Sequence, residues 1–375
     1  MIKLKNKNIH IVSFDIPYPP NYGGIIDIYY KVKTLNKLGI NVILHCFQYG
    51  KKLQSEKLDK ICKKVFYYER DKSIKNLFSF YPYICNTRKS KILFNRINLK
   101  TEPIIFEGIH TCYNLNNTNI YRKNIFIRAH NVEHKYYWNL FKNERNIFHK
   151  IYFLFEYVKI KKFEKKLSLH YQMITISKND QIYFNKFGSS KLIYPFHSND
   201  SVNIKLGKGN YAIYHGNLSI SENENSILFL IKKVFKHINY PLIITGLNPS
   251  KKLIQVISEN KNIQLKPNPN DNELSYLLLN AQIHLLHSSQ MSGFKLKLIK
   301  SLYTGRYCIL NKNMLFTSDL SEIFHVAENA KEWINLIKNL SSKSIQNKDL
   351  NYRRIFVQRF DNKILGEKLI KLVFQ

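Results

Sequence analysis

The stretch that decides the fold is Ser292-Gly-Phe-Lys-Leu-Lys-Leu-Ile-Lys-Ser-Leu-Tyr-Thr-Gly305. A short apolar run, residues 283–286, precedes it and predicts a buried strand. Residues 287–293 predict a loop ending in glycine. From Phe294 onward the apolar positions Leu296, Leu298, Ile299 and Leu302 follow helical spacing. Gly305 is a natural stop, since it can take a left-handed conformation without a Cβ penalty. The pattern is strand, tight turn, helix, with Lys295 and Lys297 in the first helical turn. A helix N-terminus offers unpaired N–H groups and partial positive charge to an anion, and two ammonium groups there strengthen the attraction. A lysine-rich surface helix is the simpler alternative, so a phosphate or diphosphate at this turn is an expectation to be tested.

Outward from that stretch the alternation repeats. In the second half, residues 211–217, 241–246, 263–266, 283–286 and 306–310 predict strands. Helices are expected over 225–237, 250–259, 271–280 and 331–340. In the first half, residues 9–15 predict a first strand, followed by a loop with three prolines and Gly23-Gly24. A helix over 25–38, ended by Gly39, and a second strand over 41–47 come next. Such units build right-handed parallel sheets. The two glycines permit close approach of backbone to a ligand, but the GxGxxG fingerprint of dinucleotide binding is absent. Residues 104–108 and 125–134 predict two further strands with polar ends. Ligands of open parallel sheets bind beyond the carboxyl ends of strands. Glu107, Arg128, His130, Asn131 and Glu133 are therefore candidate site residues, His130 as a group able to exchange a proton with a reacting hydroxyl. A long basic amphipathic helix or helix pair follows over 136–169. Residues 352–375 end the chain as one or two basic helices.

With 375 residues, two domains are expected, divided at a polar linker near residue 198. The 44% apolar and 14% aromatic content suffices for real cores and excludes a disordered chain. The net charge of +33 suits polyanionic partners. It is diffuse and carried mostly by lysine, which argues against nucleic acid as the partner. Five cysteines without a Cys-x-x-Cys point to free thiols, a reducing cytoplasm and no structural zinc. No run is long and apolar enough for a spanning helix. Residues 73–99 mix aromatic and basic side chains, and two readings stay open there: a segment dipping into an anionic bilayer, or a half-buried helix pair.

Taken together these pieces resemble the GT-B glycosyltransferases of the large family-4 type, especially those of bacterial surface-polysaccharide clusters. The residues that carry the likeness are Gly23-Gly24 in its Pro-rich loop, Phe106-Glu107-Gly108, Arg128-Ala-His-Asn-Val-Glu133, Tyr214-His-Gly-Asn-Leu218, and Gly293 to Lys300 running on to Gly305. The resemblance implies an α/β GT-B architecture: two Rossmann-like, doubly wound parallel-sheet domains facing a cleft. The acceptor-side domain is expected over 1–198, with residues 352–375 packing back on it, and the nucleotide-sugar domain over 199–351. It implies transfer of a hexose, with retention at the anomeric carbon and without a metal, to a glycan, lipid-linked or glycoprotein acceptor. The absence of Asp-x-Asp agrees with the expectation of no metal and no cofactor. By the same resemblance, His130 and Lys297 are the expected catalytic residues. Gly23, Gly24, Gly216, Asn217, Ser292, Gly293, Phe294, Lys295 and Lys300 are expected on the donor. Glu107, Arg128, Asn131 and Glu133 are expected on the acceptor side. A cytoplasmic location is implied, with peripheral contact to the inner face of the membrane. The family usually carries two glutamates where Ser292 and Lys300 stand here, which leaves a second reading: a catalytically inactive GT-B subunit that binds glycan or nucleotide-sugar.

Overall fold

The computed structural model describes residues 6–48, 54–98, 101–116, 124–289, 296–315, 320–321 and 323–375. Its packing divides the chain into two units. Of the described residues, the first unit gathers those up to Ser198 together with Phe360–Gln375, and the second takes those between.

Among the described residues the first unit holds seven strands: β1 (Asn8–Ser13), β2 (Asn41–Phe47), β3 (Lys64–Tyr68), β4 (Ile104–Glu107), β5 (Ile125–Ala129), β6 (Gln172–Thr175) and β7 (Ser190–Leu192). All pair in parallel, in the order β3-β2-β1-β4-β5-β6-β7. Successive side chains of a strand point to opposite faces, and here both faces are buried. Val12, Phe106, Ile127 and Met173 enter one apolar layer. Their neighbours Ile11, Ile105, Phe126 and Ile174 enter the other. Burial on both faces is why these strands appear in the sequence as continuous apolar runs.

The helix Gly23–Lys37 covers the second layer with Ile25, Ile28, Val32 and Leu35. The last helix, Asn362–Phe374, joins it there through Leu365, Leu369 and Val373. Each such side chain contributes about 1.5–3 kcal/mol relative to exposure. Gly366 lets the two helices approach closely, since a Cβ there would lie 2.6 Å from Leu38 Cδ1 and 2.8 Å from Thr34 Cγ2. His197 N donates to Asn362 Oδ1 (3.1 Å), and Asn362 Nδ2 donates to His197 O (2.7 Å). The return to the first unit thus begins at Phe360, not at Tyr352 as the sequence suggested. The preceding helix, Asn347–Val357, is held in the second unit by buried Arg353, which donates to Leu302 O at 2.9 Å. The expected helix over 136–169 is a pair, Glu133–Asn143 and Ile147–His170, the second capped by the Asn146 side chain.

The second unit carries β8 (Ala212–Asn217), β9 (Leu242–Leu247), β10 (Ile263–Pro267), β11 (Ile283–Leu286), β12 (Tyr307–Leu310) and β13 (His325–Val326). They form a parallel sheet in the order β10-β9-β8-β11-β12-β13. Tyr214, Ile244, Leu285 and Trp333 centre its larger core. In each sheet the order reverses once, at β1/β4 and at β8/β11. The crevice at such a reversal, beyond the carboxyl ends of the strands, is the position where open α/β sheets take ligands. Gly305 departs from expectation. It shows no left-handed φ, and what it supplies is room: a Cβ there would meet Ser301 O at 2.9 Å and the His284 ring at 3.0 Å.

Candidate active site

At the β1/β4 reversal of the first unit, five ionisable side chains meet in the interior. Asp27 and Lys31 come from the helix Gly23–Lys37, Glu107 from the end of β4, Arg128 from β5 and His130 from just beyond it. Strand parity places them. Glu107 and Arg128 point to the same side as Ile105 and Phe126, toward that helix. Arg128 Nε and Nη2 donate to the two Asp27 carboxylate oxygens, each at 2.9 Å. Its remaining hydrogen bonds go to Ile193 O and Tyr194 O. Lys31 Nζ lies 3.2 Å from Asp27 Oδ2 and 2.7 Å from Glu107 Oε1. Phe196 N also donates to Asp27 Oδ1.

Two carboxylates thus face two fixed cations. Burial by itself would raise the Asp27 pKa, but Arg128 and Lys31 outweigh it and hold the carboxyl well below its usual range. For Glu107 likewise, burial is outweighed by the Lys31 charge and the His130 hydrogen bond, and the pKa falls. Such a cluster is not an obvious source of stability, because desolvating the charges costs about what their attraction returns. What it fixes is geometry. His130 Nε2 lies 2.9 Å from Glu107 Oε2. With Glu107 ionised, Nε2 must be the donor, and in the neutral ring Nδ1 is then the accepting nitrogen.

Asp27, Glu107 and His130 hold their ligand atoms within 4.8 Å of one another, a spacing a metal ion could span. A divalent ion there would have to displace or face Lys31 and Arg128, which already neutralise both carboxylates. The donor set therefore fits a metal poorly.

Gly24 brings the start of its helix against His130. A Cβ at Gly24 would lie 2.7 Å from Phe14 Cζ and 3.6 Å from His130 Nδ1. Phe14 meets the His130 ring edge-on at 5.5 Å and the His110 ring at 5.3 Å. His110 is kept neutral, its pKa driven far down by burial and then by Arg88. Arg88 itself is lowered to about 9, first by burial and then by Arg70. It braces the end of β1 by donating from Nε and Nη2 to Phe14 O, at 3.2 and 3.1 Å.

At the β8/β11 reversal of the second unit, Lys297 reaches from the helix Leu296–Thr304 over the strand ends. Its Nζ donates to Tyr214 Oη (3.2 Å), Asn223 Oδ1 (3.3 Å) and His287 O (3.3 Å). It also stands 4.9 Å from the Tyr214 ring centre. These contacts fix the position of the ammonium from more than one element of the unit. Beside it Asn223 Nδ2 donates to Asn217 O (2.8 Å), and His287 stacks on Phe229 at 4.7 Å. His215 is buried beneath, and among the described residues its Nδ1 has no hydrogen-bond partner. Burial, then His284, Lys297 and Lys300, drive its pKa far down and keep the ring uncharged. Burial also lowers the pKa of Lys300, against the pull of Asp271.

No family model matches the chain. An uncharacterized 44.6 kDa protein in the cps region of Klebsiella pneumoniae is 25% identical over 326 residues, covering 80% of this chain and 82% of that one. S. aureus TarM, solved with Fondaparinux, alpha-GlcNAc-glycerol and UDP, matches with a TM-score of 0.66 at 12% identity, over 98% of this chain and 100% of that chain. A glycosyltransferase from Rickettsia africae matches with a TM-score of 0.64 at 14% identity, over 98% of both chains. The fold is the GT-B glycosyltransferase fold.

Within this GT-B chain the residues singled out from sequence separate into distinct roles. Gly24, Glu107, Arg128 and His130 come together in the first unit. Arg128 is fully buried and its guanidinium donates to Asp27, Ile193 O and Tyr194 O, so it supports the cluster from the interior. Glu133 also turns inward. It is 5% exposed, and its carboxyl is pushed up to about 8 by burial and then by the Glu164 charge, against a hydrogen bond from Asn131. The Glu164 carboxylate takes the backbone amides of Glu133 (2.7 Å) and His134 (3.2 Å), which makes it a cap on the helix Glu133–Asn143 supplied by another helix. Gly23 opens the helix Gly23–Lys37. Gly216, Asn217, Lys297 and Lys300 lie in the second unit's sheet reversal, whereas Ser292, Gly293, Phe294 and Lys295 lie outside the described residues. Sequence reasoning missed Asp27, Lys31 and His215. The signal for the first two was present: a carboxylate and an ammonium four residues apart, on a helix face otherwise made of Ile25, Ile28, Val32 and Leu35.

Proposed function

We propose that this GT-B chain is a hexosyltransferase that extends a surface glycan, a lipid-linked intermediate or a glycoprotein sugar. The observation that carries the reading is the Lys297 ammonium, set at the β8/β11 reversal by hydrogen bonds to Tyr214 Oη, Asn223 Oδ1 and His287 O. In the proposed site it neutralises the diphosphate of a nucleotide-sugar, with Gly216, Asn217 and Lys300 on the donor. A fixed cation of this kind replaces a metal ion as the stabiliser of a departing phosphate. His130, oriented by Glu107, accepts a hydrogen bond at Nδ1 from a sugar or acceptor hydroxyl. The acceptor oxygen forms its bond to the anomeric carbon on the face from which the nucleoside diphosphate leaves. The C–O bond to phosphate breaks, its electron pair departs with the phosphate, and the acceptor proton passes to the departing phosphate oxygen. Configuration is retained. The presence of UDP in the TarM complex and the cps-region setting of the Klebsiella protein support this choice of donor and acceptor class. Among the described residues no helix is long and apolar enough to cross a membrane, which suits a cytoplasmic enzyme whose lipid-linked acceptor keeps it at the inner face of the membrane.

The test is release of nucleoside diphosphate from a panel of UDP- and GDP-sugars with glycan and lipid-linked acceptors. Lys297→Met should lower turnover by about a hundredfold or more, and His130→Ala should lower it while leaving nucleotide binding intact. Wild-type turnover in Lys297→Met overturns the assignment. A second reading, an inactive binding subunit, is favoured by one observation: Lys300 puts a partly buried ammonium where the resembled family carries a carboxylate. Tight nucleotide-sugar binding with no turnover on any acceptor of the panel would select it.

A further inference from the structure

The helix Ile147–His170 is apolar on two faces. One is ordinary core: Ile160, Phe163 and Leu167 are buried in the first unit. The other runs through Ile147, Ile151, Leu154, Phe155 and Val158, all exposed, with Phe155 at 64%. The steps of four, three, one and three residues keep these five on a single stripe. A soluble helix has no reason to carry a second apolar stripe unless something covers it.

The stripe does not stand alone. Beside it the segment of residues 74–82 presents Phe78 and Phe80, 84% and 98% exposed. Between the two lies a groove of about 780 Å³. Its walls are fastened. Lys159 Nζ donates to Leu77 O (2.9 Å) and pairs with Glu156 Oε1 (3.0 Å), and Tyr83 N donates to Glu156 Oε2 (2.7 Å). Tyr81 packs edge-on against Tyr113 and Phe163. The aromatic side chains are thus held outward by structure that is itself well bonded.

Charge identifies the occupant. Past Val158 the same stripe continues into exposed Lys162 and Lys166, which line the groove with Lys159. The carboxylate in the lining, Glu156, is buried and spent on Tyr83 and Lys159. Exposed apolar side chains beside a row of ammonium groups match the chemistry of an anionic bilayer, which offers acyl chains to the first and phosphates to the second. A second copy of the chain is a poor alternative occupant, because each copy carries a net charge of +33.

We propose that this face is a membrane-docking surface, with Phe78, Phe80 and Phe155 inserted among the lipids and Lys162 and Lys166 at the phosphates. The proposal goes beyond the transfer reaction and rests on the first unit alone, so either can fail without the other. The test is flotation of the full chain with vesicles of phosphatidylcholine alone or mixed with phosphatidylglycerol. Binding is expected only with phosphatidylglycerol. Combined Phe78→Ser, Phe80→Ser and Phe155→Ser substitutions should weaken it about tenfold or more, although the net charge is unchanged and the exposed positions leave the core intact. In a separate Phe80→Trp variant, brominated lipids should quench the new indole. Unchanged vesicle binding by the triple serine variant would reduce the effect to diffuse charge and overturn the proposal. An unquenched Trp at position 80 would do the same, as would a wild-type dimer that the serine variant dissolves while vesicle binding persists.

Discussion

Replacing Glu133 by Gln should stabilise the first unit, increasingly so as pH rises. In the folded chain the Glu133 carboxyl holds its proton up to about pH 8, because it is buried and sits beside the Glu164 carboxylate. In the unfolded chain it loses that proton near 4.5. Between these values the folded state binds one proton more than the unfolded state, so stability is full below the lower value and falls as pH rises toward the upper one. The slope is about 1.4 kcal/mol per pH unit. Gln keeps the size and hydrogen-bonding capacity of the neutral acid and carries none of this dependence. The stability gap between Glu133→Gln and wild type should therefore widen by roughly 3 kcal/mol between about pH 5.5 and pH 8. Urea unfolding of both proteins across that range reads the gap directly, and contributions from the many histidines cancel in the difference. A gap that stays constant with pH, or a variant less stable than wild type at pH 8, would show that Glu133 is ionised in the fold.

Arg128→Leu should cost about 3–5 kcal/mol, since it strands the Asp27 carboxylate in the interior with Lys31 as its remaining cation; urea unfolding or soluble yield measures it. Gly246→Ala should cost about 2–4 kcal/mol or more, because Gly246 has φ +152 and a Cβ there would lie 1.7 Å from Gly216 O. Its unfolding curve should shift while the first unit's near-ultraviolet signature stays in place.

Much of the architecture was legible because parallel strands buried on both faces leave unbroken apolar runs, and β1, β2, β4, β5, β8 and β11 all have them. The short β7 and the two-residue β13 were harder to find, since they pair along one side with little apolar content of their own. The candidate site was half legible. Polar residues at the end of β4 and β5 drew attention to Glu107, Arg128 and His130, yet residue type alone did not say which face each side chain takes. Parity does: Glu107 and Arg128 share a face with Ile105 and Phe126, so they meet the helix carrying Asp27 and Lys31 and not an open crevice. The inward turn of Glu133 was not legible, because it depends on Glu164, 31 residues away on another helix. The end of the second unit was misplaced for a similar reason. Arg353 looks like a surface cation in sequence and is in fact buried against Leu302 O.

The proposed transfer requires Lys297 and the strand ends around it to hold a nucleoside diphosphate. Calorimetric titration of the full chain with UDP and with GDP, beside the same titrations of Lys297→Met, measures that binding. Saturable binding of one of these nucleotides to the wild type is expected, with at least about tenfold weaker binding to the variant. Equal affinity in the two proteins, or no binding of either nucleotide to the wild type, would contradict it.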